Sequence, residues 1–225
     1  MFDILSLISL VIFTLASLSF LLVAYIAIRN DSTYKVNQLF SIAFIFAFFY
    51  FIFLGLYILP IFSFAASYDQ LLAFLGLVFI NLAIFTFALV SEYIRFESVQ
   101  KDHLAIMIVT LLVGLFSAYI IVAYFDNVMI LLLGFSLLNI TLTINSFRFI
   151  IVLFRLARKE KEDMFFKKKL NAYNTGFILF NILSGFGWAL TLFLPLTTEM
   201  QPLPPGILTL VATFLMARAF LMKTK

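Results

Sequence analysis

Cysteine is missing from this 225-residue chain, and histidine and tryptophan occur once each. The first absence removes disulfides, thiolate metal sites, cysteine nucleophiles and palmitoylation together. Charge is scarce as well: Asp, Glu, Lys and Arg make up 12% of the residues, against roughly a quarter in a soluble domain. No serine stands in a nucleophile elbow, no pair of carboxylates lies within an apolar run and no glycine-rich phosphate loop occurs. Acid–base, nucleophilic and nucleotide-hydrolysing catalysis therefore have no constellation to rest on, and the chain is expected not to be an enzyme and to need no cofactor. His103, in "ESVQKDH" with Glu97 and Asp102, is one imidazole beside two carboxylates without a second histidine, so no metal site is expected.

What fills the sequence is hydrocarbon. Hydrophobic residues reach 64%, and the solvent for most of the chain is lipid. Long unbroken apolar runs without period-two alternation exclude a barrel and leave an α-helical bundle. At about 20 residues per span, the length accommodates roughly seven helices. They are drawn from Ile4 to Ile28, Leu39 to Ile61, Leu71 to Tyr93, Leu104 to Phe125, Val128 to Phe154, Leu170 to Leu194 and Pro204 to Leu221. The fold class predicted is all-α, a single seven-helix transmembrane domain. Phenylalanine, with 31 residues, is expected mainly on the lipid-facing surface, since it partitions well into hydrocarbon.

Basic residues are absent from one side of this scheme. Arg29 and Lys35 lie between spans one and two, Arg95 and Lys101 between three and four, Arg148 and the run "RLARKEKEDMFFKKK" between five and six, and Arg218, Lys223 and Lys225 at the end. The N-terminus and the loops around 60–70, 126–127 and 195–205 carry none of the 15 lysines and arginines. Short loops rich in Lys and Arg stay in the cytoplasm, so the N-terminus is expected outside and the C-terminus inside.

The run Arg155 to Lys169 holds seven of those 15 cations and is the main topogenic loop. Arg158 with Glu162 and Lys159 with Asp163 are spaced as i, i+4 pairs, so the fifth span is expected to continue as a solvated helix and to turn near Met164 and Phe165. The cluster Arg158, Lys159, Lys161, Phe165, Phe166, Lys167, Lys168 and Lys169 is a candidate docking surface for anionic lipid or a cytosolic signalling partner. No nucleic-acid-binding fold accompanies it.

Polar groups inside spans are costly and so are the default functional candidates. In "NITLTINSFRF" of the fifth span, Asn139, Thr143 and Ser146 share one helical face and Thr141, Asn145 and Arg148 another. Arg148 sits about 10 Å inside the cytoplasmic end at 1.5 Å per residue; it either snorkels outward or pairs with Glu92 at the end of the third span. Asn81 stands alone midway down the third span and is expected to bond a neighbouring helix. In the outer half of the bundle, Asn181 and Trp188 of the sixth span, with Tyr57 and Tyr119, form a candidate ligand pocket.

Retinal proteins are excluded, because "PPGILTLVATFLMARAFLM" carries no lysine for a Schiff base. The third span ends "SEYIRF" and the seventh lacks asparagine, so only topology is shared with G-protein-coupled receptors. The second span opens with "KVNQLF", Lys35 to Phe40, directly after a basic loop. In this motif, in length and in its N-out orientation, the whole chain resembles the N-terminal seven-helix sensor region of prokaryotic histidine kinases. The resemblance implies a receptor or sensor whose output belongs to a separate protein, since the kinase core that follows the seventh span in the family is not found before Lys225. A small transporter, channel or lipid-handling protein, or an accessory subunit of a membrane complex, is the alternative.

Overall fold

Backbone amides in hydrocarbon must be satisfied within their own segment, which selects helix. The computed structural model describes residues 4–30, 33–58, 66–124, 127–159, 164–182 and 203–222, and no strand occurs among them. The described residues form seven helices: α1 (Ile4–Asn30), α2 (Lys35–Ile58), α3 (Ala66–Phe96), α4 (Lys101–Ala123), α5 (Val128–Lys159), α6 (Met164–Ile182) and α7 (Leu203–Leu221). Five of them, α1 to α5, are long and apolar enough to cross a bilayer. The chain is thus a helical membrane protein.

Several helices overrun the hydrocarbon. α3 and α5 have 31 and 32 residues, more than the ~20 that a bilayer core requires. α5 continues beyond Phe154 to Lys159, as its charge spacing suggested, although Glu162 and Asp163 lie outside the described residues. The turn expected near Met164 and Phe165 is instead the start of α6, so Lys167, Lys168 and Lys169 ride on its first two turns. No Gly or Pro interrupts this stretch, and Leu170, Tyr173 and Phe177 continue one helical face from it.

Packing follows chain order and then closes. α1 lies on α2, α2 on α3, α5 on α6, α6 on α7, and α7 returns to α1. α3 also packs on α5, which completes a ring of six helices, while α4 leans on α3 and α5 from outside. Small residues allow the close approach of the first three helices: Ala16, Ala27, Ala43, Ala47 and Ala83 are all fully buried.

The centre of the ring is aromatic, so buried phenylalanines stand beside the lipid-facing ones that the sequence leads one to expect, such as Phe116, Phe147 and Phe214. Each ring helix contributes a buried phenylalanine: Phe20, Phe44, Phe87, Phe149, Phe177 and Phe220. Phe177 meets Phe149 and Phe87 with centroids 4.4 and 4.7 Å apart, and Phe44 meets Phe87 at 5.3 Å. These tilted and edge-on arrangements suit the aromatic quadrupole, and they supply the dispersion contacts that hold helices together where water is absent.

Candidate functional site

The ends of α1, α3, α5 and α7 and the starts of α2 and α6 meet at the basic end of the bundle. Lys35 Nζ at the start of α2 lies 5.6 Å from the Tyr93 ring near the end of α3. Asn30 Nδ2, at the end of α1, donates to Phe220 O of α7 at 2.6 Å. Between these six helix ends is a cavity of about 550 Å³, within the ~300–1,000 Å³ typical of small-molecule sites. Val36 and Phe40 of α2, Leu153 of α5 and Tyr173 of α6 form its buried walls with Phe220. Besides Tyr173, its polar lining residues are Asn30, Tyr34, Asn37 and Lys169.

Among the described lining residues Lys169 is the one that carries a charge. The ammonium donates to Met222 O at 3.2 Å, so Lys169 and Asn30 together satisfy carbonyls that the end of α7 leaves open. Partial burial holds the Lys169 ammonium below the usual lysine range. The Tyr173 hydroxyl is buried without a hydrogen-bond partner.

A second polar concentration runs along the seam of α3, α4 and α5. The backbone of Glu97 ends α3 in the left-handed region, at φ 57, and the short link to α4 brings His103 back over α3. His103 Nδ1 then lies 2.7 Å from Glu92 Oε2, with the Phe96 ring 5.8 Å from the imidazole. Deeper in, Asn145 Nδ2 of α5 donates to Thr110 Oγ1 of α4 at 3.0 Å, and the Thr110 hydroxyl turns back to Met107 O at 2.9 Å. Asn81 donates within its own helix, to Leu77 O at 2.8 Å, and its carbonyl occupies the space left by the missing side chain of Gly114.

The proposed pairing of Arg148 with Glu92 is not formed. Glu92 is 5% exposed and is engaged by His103, whereas Arg148 Nη1 is buried without a partner. The first turn of α4 reaches the carboxylate, and α5 does not. A double-mutant cycle on Glu92 and His103 should therefore give a coupling of about 1 kcal/mol, as for a partly exposed charged hydrogen bond. The same cycle on Glu92 and Arg148, read by unfolding in bicelles, should give a value near zero; a large coupling there would restore the pairing of Arg148 with Glu92.

The two stripes of α5 do not stay separate, because Ser146 of the first is buried together with Thr141 and Asn145 of the second. Thr141 and Asn145 are buried against α3 and α4, while Asn139 and Thr143 are exposed on the outer surface, outside the intramembrane network expected for them. Asn139 accommodates this by donating to Phe135 O at 2.9 Å. The outer-half pocket is not assembled from the described residues. Tyr119 is 55% exposed on α4, outside the ring, and Trp188 and the Asn181 side chain lie outside the described residues; Tyr57 is partly buried on α2. Of the docking cluster, Arg158, Lys159, Lys167 and Lys168 are exposed, Lys169 enters the cavity, and Lys161 and the side chains of Phe165 and Phe166 are outside the described residues.

Asn30, Tyr34, Asn37 and Tyr173 were not singled out by sequence. Each stands within about two turns of a basic loop, where polar residues read as ordinary interface positions. No family model matches this chain, and no similar curated protein or solved structure is found.

Proposed function

We propose that the protein is an integral membrane receptor or sensor of seven spans, with the N-terminus outside and the C-terminus cytoplasmic, in the cell membrane. Its action resembles that of the seven-helix sensor regions of prokaryotic histidine kinases, and it signals through a cytosolic or membrane partner. The observation that carries this reading is the cavity at the basic end, to which six helix ends contribute. Any change in the relative position of α5, α6 and α7 alters that cavity and moves Arg158, Lys159 and Lys167 at once. Coupling of this kind requires an element with two arrangements, and the α5–α6 junction with its charged surface is suited to present them to a partner.

The absence of cysteine makes the test direct, because cysteines introduced at Arg29 and Lys167 would be the only thiols available to the labels. Distances between spin labels at these sites are measured in nanodiscs of increasing acyl-chain length and across a panel of small molecules added on each side. A shift of about 2 Å or more under at least one condition is expected. An invariant distance under all of them, in a folded protein, would leave the receptor reading without support.

A further inference from the structure

We propose that the basic-end cavity binds an amphiphile with a single anionic head group, a carboxylate or phosphate, whose head meets Lys169 and whose apolar part lies against Phe40, Leu153 and Phe220. The proposal rests on the reading of this cavity as the functional site. Each class of ligand makes a different match to the walls. Phe40, Leu153 and Phe220 are 6%, 2% and 7% exposed and offer carbon only, so a purely polar solute would leave them facing water. Among the described lining residues the one charge is positive and none is an acid, so a cation is repelled by the charge it meets. An uncharged apolar molecule would remove water from Lys169 without replacing it. An anion with an apolar body satisfies both parts.

The head group has donors to meet. An ammonium carries three N–H groups; Lys169 uses one on Met222 O, and no other acceptor among the described residues takes the remaining two. A carboxylate or phosphate oxygen on these would form a charge-assisted hydrogen bond, stronger than the carbonyl contact already present. Asn30 and Tyr34 are exposed at the rim and mark the mouth of the cavity. The same chemistry is offered by a lipid of the inner leaflet and by a soluble amphiphilic metabolite.

Lys169 itself is the reporter. The full-length protein in phosphatidylcholine nanodiscs is treated with an amine-acylating reagent, and labelling of Lys167, Lys168 and Lys169 is followed by mass spectrometry. Decyl phosphate is expected to slow labelling of Lys169 by about tenfold at saturation, while Lys167 and Lys168, both exposed, change little. Decanol, decyltrimethylammonium and inorganic phosphate at equal concentration should give no such protection. Lys169→Met should lose binding of radiolabelled decyl phosphate and Lys169→Arg should keep it, with thermal transitions of both variants close to that of the parent. Equal slowing of all three lysines, or protection by decanol, would overturn the proposal. Replacing part of the disc lipid by phosphatidic acid, without decyl phosphate, separates the sources: protection there identifies a membrane lipid, and protection only by the soluble probe identifies a metabolite. Lys169 protection without movement of the spin labels would overturn the sensor reading alone, and movement without protection would overturn the site alone.

Discussion

Replacing Gly176 with leucine is expected to separate α6 from α7 and to cost about 3 kcal/mol, the upper end of the range for overpacked interiors. A Cβ built at Gly176 lies 2.8 Å from the backbone carbonyl oxygen of Ala212 and 2.8 Å from Met216 Cγ. The methionine can yield, because its side chain is unbranched and flexible. The carbonyl cannot, because moving it moves α7. The helix backbone of α6 gains from losing a glycine by about 1 kcal/mol, which the clash exceeds. Gly76 is the control: its nearest neighbours stand 3.7 to 3.8 Å away, ordinary contact distance, so Gly76→Ala should be neutral or stabilising. Unfolding of both variants in bicelles reads the difference directly, and equal effects would show that α6 and α7 do not approach at Gly176. Since α6 and α7 supply Lys169, Tyr173 and Phe220, and Met222 directly follows α7, the Gly176 variant should also lose the cavity.

Phe40→Ala is expected to be the most damaging truncation of an aromatic side chain. Phe40 touches Tyr173 at 4.9 Å, Phe220 at 5.4 Å, Phe149 at 5.8 Å, Phe87 at 6.2 Å and Phe44 at 6.3 Å between centroids. It therefore joins α2 to α3, α5, α6 and α7 through one ring. In a water-soluble core such a truncation costs about 3–5 kcal/mol. Here the unfolded reference is itself in lipid, so the transfer part is smaller and the packing part remains; about 2–3 kcal/mol is expected. Phe116→Ala, on a ring 58% exposed on α4, should change stability by less than about 0.5 kcal/mol. Thermal or denaturant unfolding in the same bicelles compares the two. If Phe116→Ala were as costly as Phe40→Ala, the aromatic centre of the ring would not be where the stability resides.

The helices themselves were legible because hydrocarbon permits so little else. Runs such as "SIAFIFAFFYFIFLGLY" announce a spanning helix by length alone, and α1 to α5 are found with ends within a few residues of the drawn spans or extended into flanking charge. The polar face of α5 was half legible. Two stripes were visible, and nothing in the order of residues indicated that Thr141 and Asn145 would be covered by α4 while Asn139 and Thr143 would stay outside. Pairing was less legible still: Glu92 had a cation available in Arg148 and another partner eleven residues on in His103, and the tight α3–α4 link chose the second.

Composition and charge order alone thus determined a helical membrane protein with its basic residues gathered toward one end, because burial of backbone amides and the desolvation cost of charge act locally on each segment. Which side of each helix faces inward was decided only by the tertiary structure. In water, hydropathy distinguishes core from surface; in lipid both are apolar, and a phenylalanine reads the same whether it is Phe177 at the centre of the ring or Phe214 on its rim. The difference lies in shape and close contact between helices distant in sequence, and the cavity around Lys169 exists only where six such ends meet.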